Sequence, residues 1–114
     1  MTVIYGIKNC DTMKKARSWL EAHKVKADFH DYKASGIDQA TLEGWAKKVG
    51  WEVLLNRAGT TFKKLPDADR HGLTEKKAIV LMLAQPSMIK RPVLEAKGKL
   101  TVGFKLDDYK NLFA

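Results

Sequence analysis

"VIYGIKNCDTMKKA", Val3 to Ala16, is the stretch from which the architecture follows. Thr2 to Tyr5 is a short apolar run rich in β-forming residues, and Gly6 to Asn9 breaks it before a helical pattern starts near Asp11. On that helix Met13, Ala16 and Leu20 share one face while Lys14, Lys15, Arg17 and Glu21 fall mostly elsewhere. His23 and Lys24 suit its C-terminal end, where the helix dipole favours positive charge. Val25 to Tyr32, with Ala27 and Phe29 alternating with Asp28 and His30, reads as a second strand, and a helical crossover makes it parallel to the first. The opening is a βαβ unit, and Cys10, the one cysteine of the chain, falls at the entrance of its helix.

Beyond this unit the pattern turns helical. Asp38 is placed to cap a helix, Ile37 can staple onto Leu42, and Leu42, Trp45, Ala46 and Val49 form a buried stripe that Gly50 terminates. "WEVLLN" reads as a further short helical piece, and Arg57 to Gly72 as a polar connecting segment. Thr74 opens the most apolar helix, Leu73 to Ala84, which Pro86 stops. After Ser87 "RPVLEAKGKLTVGF" gives two short strands joined by "AKGK", a hairpin whose Gly98 supplies positive φ, and Asp107 is placed to cap a C-terminal helix bearing Leu112 and Phe113. The expected fold class is α/β (α+β): βαβ and ββα halves around a mixed four-stranded sheet, with a helical insertion at about residues 36–85 of a single 1–114 domain.

Composition narrows the function classes. A chain of 114 residues, 45% hydrophobic, is the size of one ordinary globular domain. No run of about 18 apolar residues occurs and no signal-like start is visible, so no membrane partner and a cytoplasmic location are expected. A lone cysteine makes no internal disulfide, which fits a reducing compartment. The net charge of +8 favours anionic partners, but the basic residues are spread along the chain with no aromatic-studded basic strand, so direct nucleic-acid binding is not expected. His23, His30 and His71 lack metal-ligand spacing with one another or with Cys10, and no metal is assigned. Trp19, Trp45 and Trp51 are read as packing residues.

Cys10 is read as a reagent. The first turn of a helix has unpaired backbone N–H groups and partial positive charge, which stabilise a thiolate. Lys8 and Lys14 add positive charge and Asn9 and Thr12 offer donors, while Asp11, a carboxylate, works the other way unless it is occupied in capping the helix. The polar run "KNCDT" opposes the alternative, a small buried hydrophobe. "MIKRPV", Met88 to Val93, places Pro92 before a strand and beside Arg91, whose planar fork suits carboxylates and oxyanions. "LLNRAGTTF" is a donor-rich loop holding Asn56, Arg57, Gly59, Thr60 and Thr61.

Taken in order, "IYGIKNCDTMKKAR", "LLNRAGTTF", "MIKRPVL" and "VGF" resemble the arsenate reductase (ArsC)-like proteins of the thioredoxin-fold superfamily, in the YffB and Spx/MgsR-like branch, over essentially the whole chain. The resemblance implies a thioredoxin-like sheet with an inserted helical subdomain, Cys10 as nucleophile, a cis proline at Pro92 facing it, and Arg91 as the counterpart of an anion-binding arginine. The sequence also departs from the family. Asp11, Thr12 and Met13 replace the Gly-Thr-Ser-type loop of arsenate reductases, Asn56 stands where a second arginine is expected with Arg57 one place along, and Gly103 and Phe104 stand where a third would be. Met13 occupies the position of the second cysteine of the Cys-x-x-Cys pair of typical Spx regulators.

These features lead to a glutathione-dependent thiol oxidoreductase as the expected function. Cys10 is the catalytic residue, glutathione the co-substrate, and an oxidised thiol the substrate; Lys8, Asn9, Thr12, Arg57, Arg91 and Pro92 form the binding set. An Spx-like regulator that docks on RNA polymerase is the alternative, and arsenate reduction ranks third because of Asp11 and the missing arginine.

Overall fold

The computed structural model describes residues 2–8 and 10–113, and for Lys33 the backbone. The chain divides into two compact units, Met1–Ser35 with Arg91–Ala114, and Gly36–Lys90. In the first, β1 (Val3–Gly6), α1 (Asp11–Ala22), β2 (Asp28–Asp31) and a short α2 (Tyr32–Ser35) are followed, after the second unit, by β3 (Val93–Ala96), β4 (Lys99–Val102) and α8 (Leu106–Leu112). The strands form one sheet in the order β2-β1-β3-β4. β1 runs parallel to β2 and antiparallel to β3, and β3 and β4 form an antiparallel hairpin. This is the mixed four-stranded, thioredoxin-like arrangement of βαβ and ββα halves.

Alternation along β1 decides which face is buried by helices. Ile4 points to the face where it meets Leu94 and Ala96 of β3, Met13, Ala16 and Leu20 of α1, and Tyr109 and Leu112 of α8, in one apolar cluster. Met13 lies so close over Gly6 that a Cβ there would run into its sulfur, so β1 must end on glycine. Tyr5 points to the opposite face, as do its β2 partner His30 and its β3 partner Val93. The β3–β4 turn uses positive φ at both Lys97 (53°) and Gly98 (74°), the twist that a tight hairpin requires.

The second unit is helical: α3 (Gln39–Val49), α4 (Trp51–Leu54), α5 (Thr60–Lys63), α6 (Asp67–Arg70), α7 (Glu75–Ala84) and a 3-10 turn at Pro86–Met88. The caps at Asp38 and Thr74 form as expected, accepting from the N–H groups of Thr41 (2.7 Å) and Lys77 (3.3 Å). Its core contains Leu42, Trp45, Leu54, Leu55, Phe62, Ala78, Met82 and Ile89, all buried. The segment returns towards β3 through a bridge between Leu55 and Ile89, with Asn56 N–H donating to Met88 O and Lys90 N–H to Leu54 O, both at 2.7 Å.

Several local expectations are corrected. The stretch 57–72 is not a plain connector: α5 is anchored by buried Phe62, and in α6 Arg70 pairs with Asp67. The second strand begins at Asp28 rather than Val25, because the end of α1 consumes the preceding residues; Lys24 takes a φ of 58° and Val25 N–H bonds Leu20 O. Asp107 does not cap α8, whose N-cap is Lys105; Asp107 and Asp108 lie inside the first turn, where their charge suits the helix dipole.

Candidate functional site

β1 delivers the chain to a short loop, and Cys10 emerges from it in an extended conformation (φ −111°, ψ 130°) as the N-cap residue of α1. Asp11 is thus the first helical residue and an exposed one, not the cap. With no oxygen side chain at the cap, the orphan N–H groups of the first turn, those of Met13 and Thr12, are turned to the Cys10 sulfur. The thiol is half-buried and free. Burial by itself pushes its pKa up; the Met13 amide, a hydrogen bond from the Arg91 side chain, the Thr12 amide and the Arg91 charge outweigh that and hold it below the ordinary value.

Arg91, with Pro92 after it, leads into β3, the antiparallel neighbour of β1, so it lies at the same end of the sheet from which Cys10 leaves. The Arg91–Pro92 peptide is cis, as the resemblance implies, and Pro92 is buried. Arg91 is half-buried and donates to the thiol rather than standing free in solvent.

The face of the sheet on which Tyr5 lies carries polar groups that the sequence did not single out. The Tyr5 hydroxyl donates to Glu95 Oε1 at 2.5 Å, and the Tyr5 ring lies 5.0 Å from that of His30 and 6.4 Å, stacked, from that of Tyr32. Tyr32 is buried and its hydroxyl has no hydrogen-bond partner. Burial raises its pKa strongly; Tyr5 adds to the rise, Arg91 opposes it and Glu95 adds again, so all three lie within electrostatic reach of one phenol. The signal available in the sequence was the alternation of Tyr5 and His30 at matching register positions. Glu95 gives no such sign, since it is 90 residues from its partner.

The remaining candidates are placed as follows. Thr12 is half-buried in the first turn of α1 and acts on the thiol through its backbone. Lys8 is exposed in the loop. Asn9 lies outside the described residues. Arg57 belongs to the Gly36–Lys90 unit, where its guanidinium lies 5.4 Å from the centre of the Trp51 ring. Among the described residues no group of His, Cys, Asp and Glu is arranged to hold a metal, and no helix is long and apolar enough to cross a membrane. A groove of about 390 Å³ between α3 and α7, lined in part by Glu43, Lys47, Ile79 and Val80, includes none of the site residues.

Comparison with known proteins identifies relatives of the whole chain. A model described as ArsC family matches residues 5–112. The solved YffB protein is 62% identical with a TM-score of 0.97, covering all of both chains. The solution structure of an arsenate reductase (ArsC) related protein from Brucella melitensis is 61% identical with a TM-score of 0.79, over 98% of this chain and 93% of that one. A global transcriptional regulator Spx of Streptococcus pyogenes is 26% identical over 95% of this chain and 81% of its own length.

Proposed function

The chain belongs to the ArsC family, and from that premise we propose that it is a glutathione-dependent thiol oxidoreductase working through Cys10 alone. The observation that carries the reading is the setting of this thiol, which meets two backbone amides and a guanidinium in a chain with no second cysteine. The Cys10 thiolate attacks one sulfur of an oxidised thiol; the substrate S–S bond breaks, a Cys10–sulfur bond forms and the other half leaves as a thiolate. Glutathione thiolate then attacks the substrate-derived sulfur of the mixed disulfide. A new disulfide departs and Cys10 returns as a thiolate, stabilised by Arg91 and the helix entrance.

Lys8, Asn9, Thr12, Arg57, Arg91 and Pro92 remain the proposed binding set, with the cations matched to the carboxylates of glutathione. The reaction requires no metal, and its compartment is the reducing cytoplasm. Asp11, a carboxylate next to the nucleophile, disfavours arsenate as substrate. Mass spectrometry after exposure to oxidised glutathione tests the proposal. One glutathione adduct is expected on the native chain, removed by reduced glutathione and absent in Cys10→Ser. A native chain that takes no adduct, and whose thiol titrates at or above free cysteine, defeats it.

A second reading is a regulator that docks on RNA polymerase; what supports it is the similarity to a global transcriptional regulator, Spx. Its distinguishing result is retention of a polymerase subunit by both native and Cys10→Ser protein.

A further inference from the structure

Three chain segments meet at the end of the sheet where Cys10 leaves β1. Tyr5 pairs with Val93 and Val93 with Val102, so the exit of β1, the entry to β3 at Pro92 and the exit of β4 at Gly103 share that end. The last two are tied together, the Gly103 N–H donating to Pro92 O at 2.8 Å. Strand alternation would send residue 104 to the Tyr5 face with Val102. Gly103 adopts a φ of 82°, which favours glycine, and the chain turns there, so that Phe104 packs instead against the helix-covered cluster of Ile4, Leu94 and Tyr109. Cys10 packs against the same cluster.

The Phe104 ring is held but not covered. Tyr109, wholly buried, meets it edge-to-face with centroids 4.8 Å apart and planes at 89°, while Phe104 itself stays half-exposed. Leu106, two residues on, is also exposed. In strand order this end of the sheet presents the thiol, then Arg91 and Pro92, then Phe104. β1 and β4 are two strand spacings apart, about 10 Å, a gap that an aromatic side chain and a substituent on the attacked sulfur close from the two sides.

We propose that Phe104 is a specificity-determining residue for the reaction of Cys10: its ring takes an apolar or aromatic substituent carried by the sulfur under attack. The inference deepens the oxidoreductase reading, on which it rests for Cys10 as the attacking thiolate, and it names the class of oxidised thiol, one whose sulfur bears an apolar group about the size of an aromatic ring. In the exchange the Cys10 thiolate forms a new S–S bond to that sulfur, the old bond breaks with its electron pair on the leaving group, and the retained substituent comes to lie beside Pro92 against Phe104. Apolar surface buried there favours the transition state and the mixed disulfide over those of a hydroxylated substituent.

The experiment uses benzyl methanethiosulfonate and 2-hydroxyethyl methanethiosulfonate, uncharged probes with one leaving group. The thiolate attacks the sulfenyl sulfur, methanesulfinate departs with the bonding pair, and only the group transferred to Cys10 differs. The ratio of the two second-order rates cancels any change in the thiol itself, and the same ratio for N-acetylcysteine gives the intrinsic reactivity of the probes. The native chain should favour the benzyl probe by roughly 3- to 10-fold over the free thiol, as expected for burial of a few tens of Å² of apolar surface. Phe104→Ala and Phe104→Gln should lose that preference, and Phe104→Leu should keep most of it. A native ratio equal to that of N-acetylcysteine, or a preference that persists in folded Phe104→Ala or Phe104→Gln, overturns the proposal. The probes need no glutathione, so a native chain that shows the Phe104-dependent preference but takes no glutathione adduct defeats the oxidoreductase reading and keeps the role of Phe104, while an adduct formed without that preference defeats the role of Phe104 alone.

Discussion

Arg91, the residue before Pro92, donates a hydrogen bond to the sulfur of Cys10, the residue before α1. Removing it by Arg91→Met leaves burial pushing the thiol up and only the Met13 and Thr12 amides pulling it down. The midpoint of the alkylation profile moves to higher pH, and the rate near pH 7 falls by roughly 3- to 10-fold. A second consequence appears in stability. The native thiol titrates below the unfolded one, so its stabilising contribution is complete above the unfolded pKa of about 8.5 and fades as pH falls through the folded value. Denaturant titrations at several pH values should show the advantage of the native chain over Arg91→Met growing across that window.

Met13 stands at the third position of α1, one turn from the Cys10 cap, where side chains can meet. Met13→Cys is expected to convert the single-thiol site to a dithiol. After oxidised glutathione the adduct becomes transient, and the isolated product is an internal disulfide lacking two hydrogens and carrying no glutathione. Mass spectrometry over time reads both species. The variant loses packing over Gly6 and should be less stable when reduced, by about 2 kcal/mol or more.

The contact of Met13 with Gly6 also permits a packing test. Gly6→Ala forces a methyl group against the Met13 sulfur and should cost about 1–3 kcal/mol. Met13→Ala opens a cavity at a residue only 1% exposed and should cost about 2–5 kcal/mol. Combined, the two should cost less than their sum, since the added methyl fills part of the space vacated; denaturant unfolding of all four proteins measures the coupling.

Asp38 caps α3 in the helical unit, accepting from the Thr41 N–H at 2.7 Å. Asp38→Ala should lower stability by about 1 kcal/mol, while the pH profile of Cys10 alkylation stays as in the native chain.

Much of the architecture was legible because its determinants are local. β1 and α1 announce themselves by a change of hydrophobic period, Asp38 and Thr74 by capping chemistry, and the β3–β4 turn by Gly98. What escaped depends on contacts distant in sequence or on competition between adjacent elements. Phe62 organises α5 by burial in a stretch otherwise polar, and Lys24 with Val25 closes α1 at the expense of β2. Of the candidate residues, Cys10 was singled out by its place at a helix entrance and Arg91 by the resemblance, and the structure brings the Arg91 side chain and the Thr12 amide, rather than the Thr12 hydroxyl, to the thiol. The Tyr5–Glu95 bond was not legible, because it exists only once β1 and β3 are paired.

The covalent order of the sheet has a consequence for how this chain can change. Every rung of the ladder joins residues that precede Gly36 or follow Lys90, and Cys10 before the one boundary and Arg91 after the other both belong to that same unit. Lengthening, shortening or rewriting the surface loops of the helical unit therefore shifts no strand register and substitutes neither member of the reactive pair. Recognition can diversify in one stretch of sequence while the thiol chemistry is inherited unaltered in another.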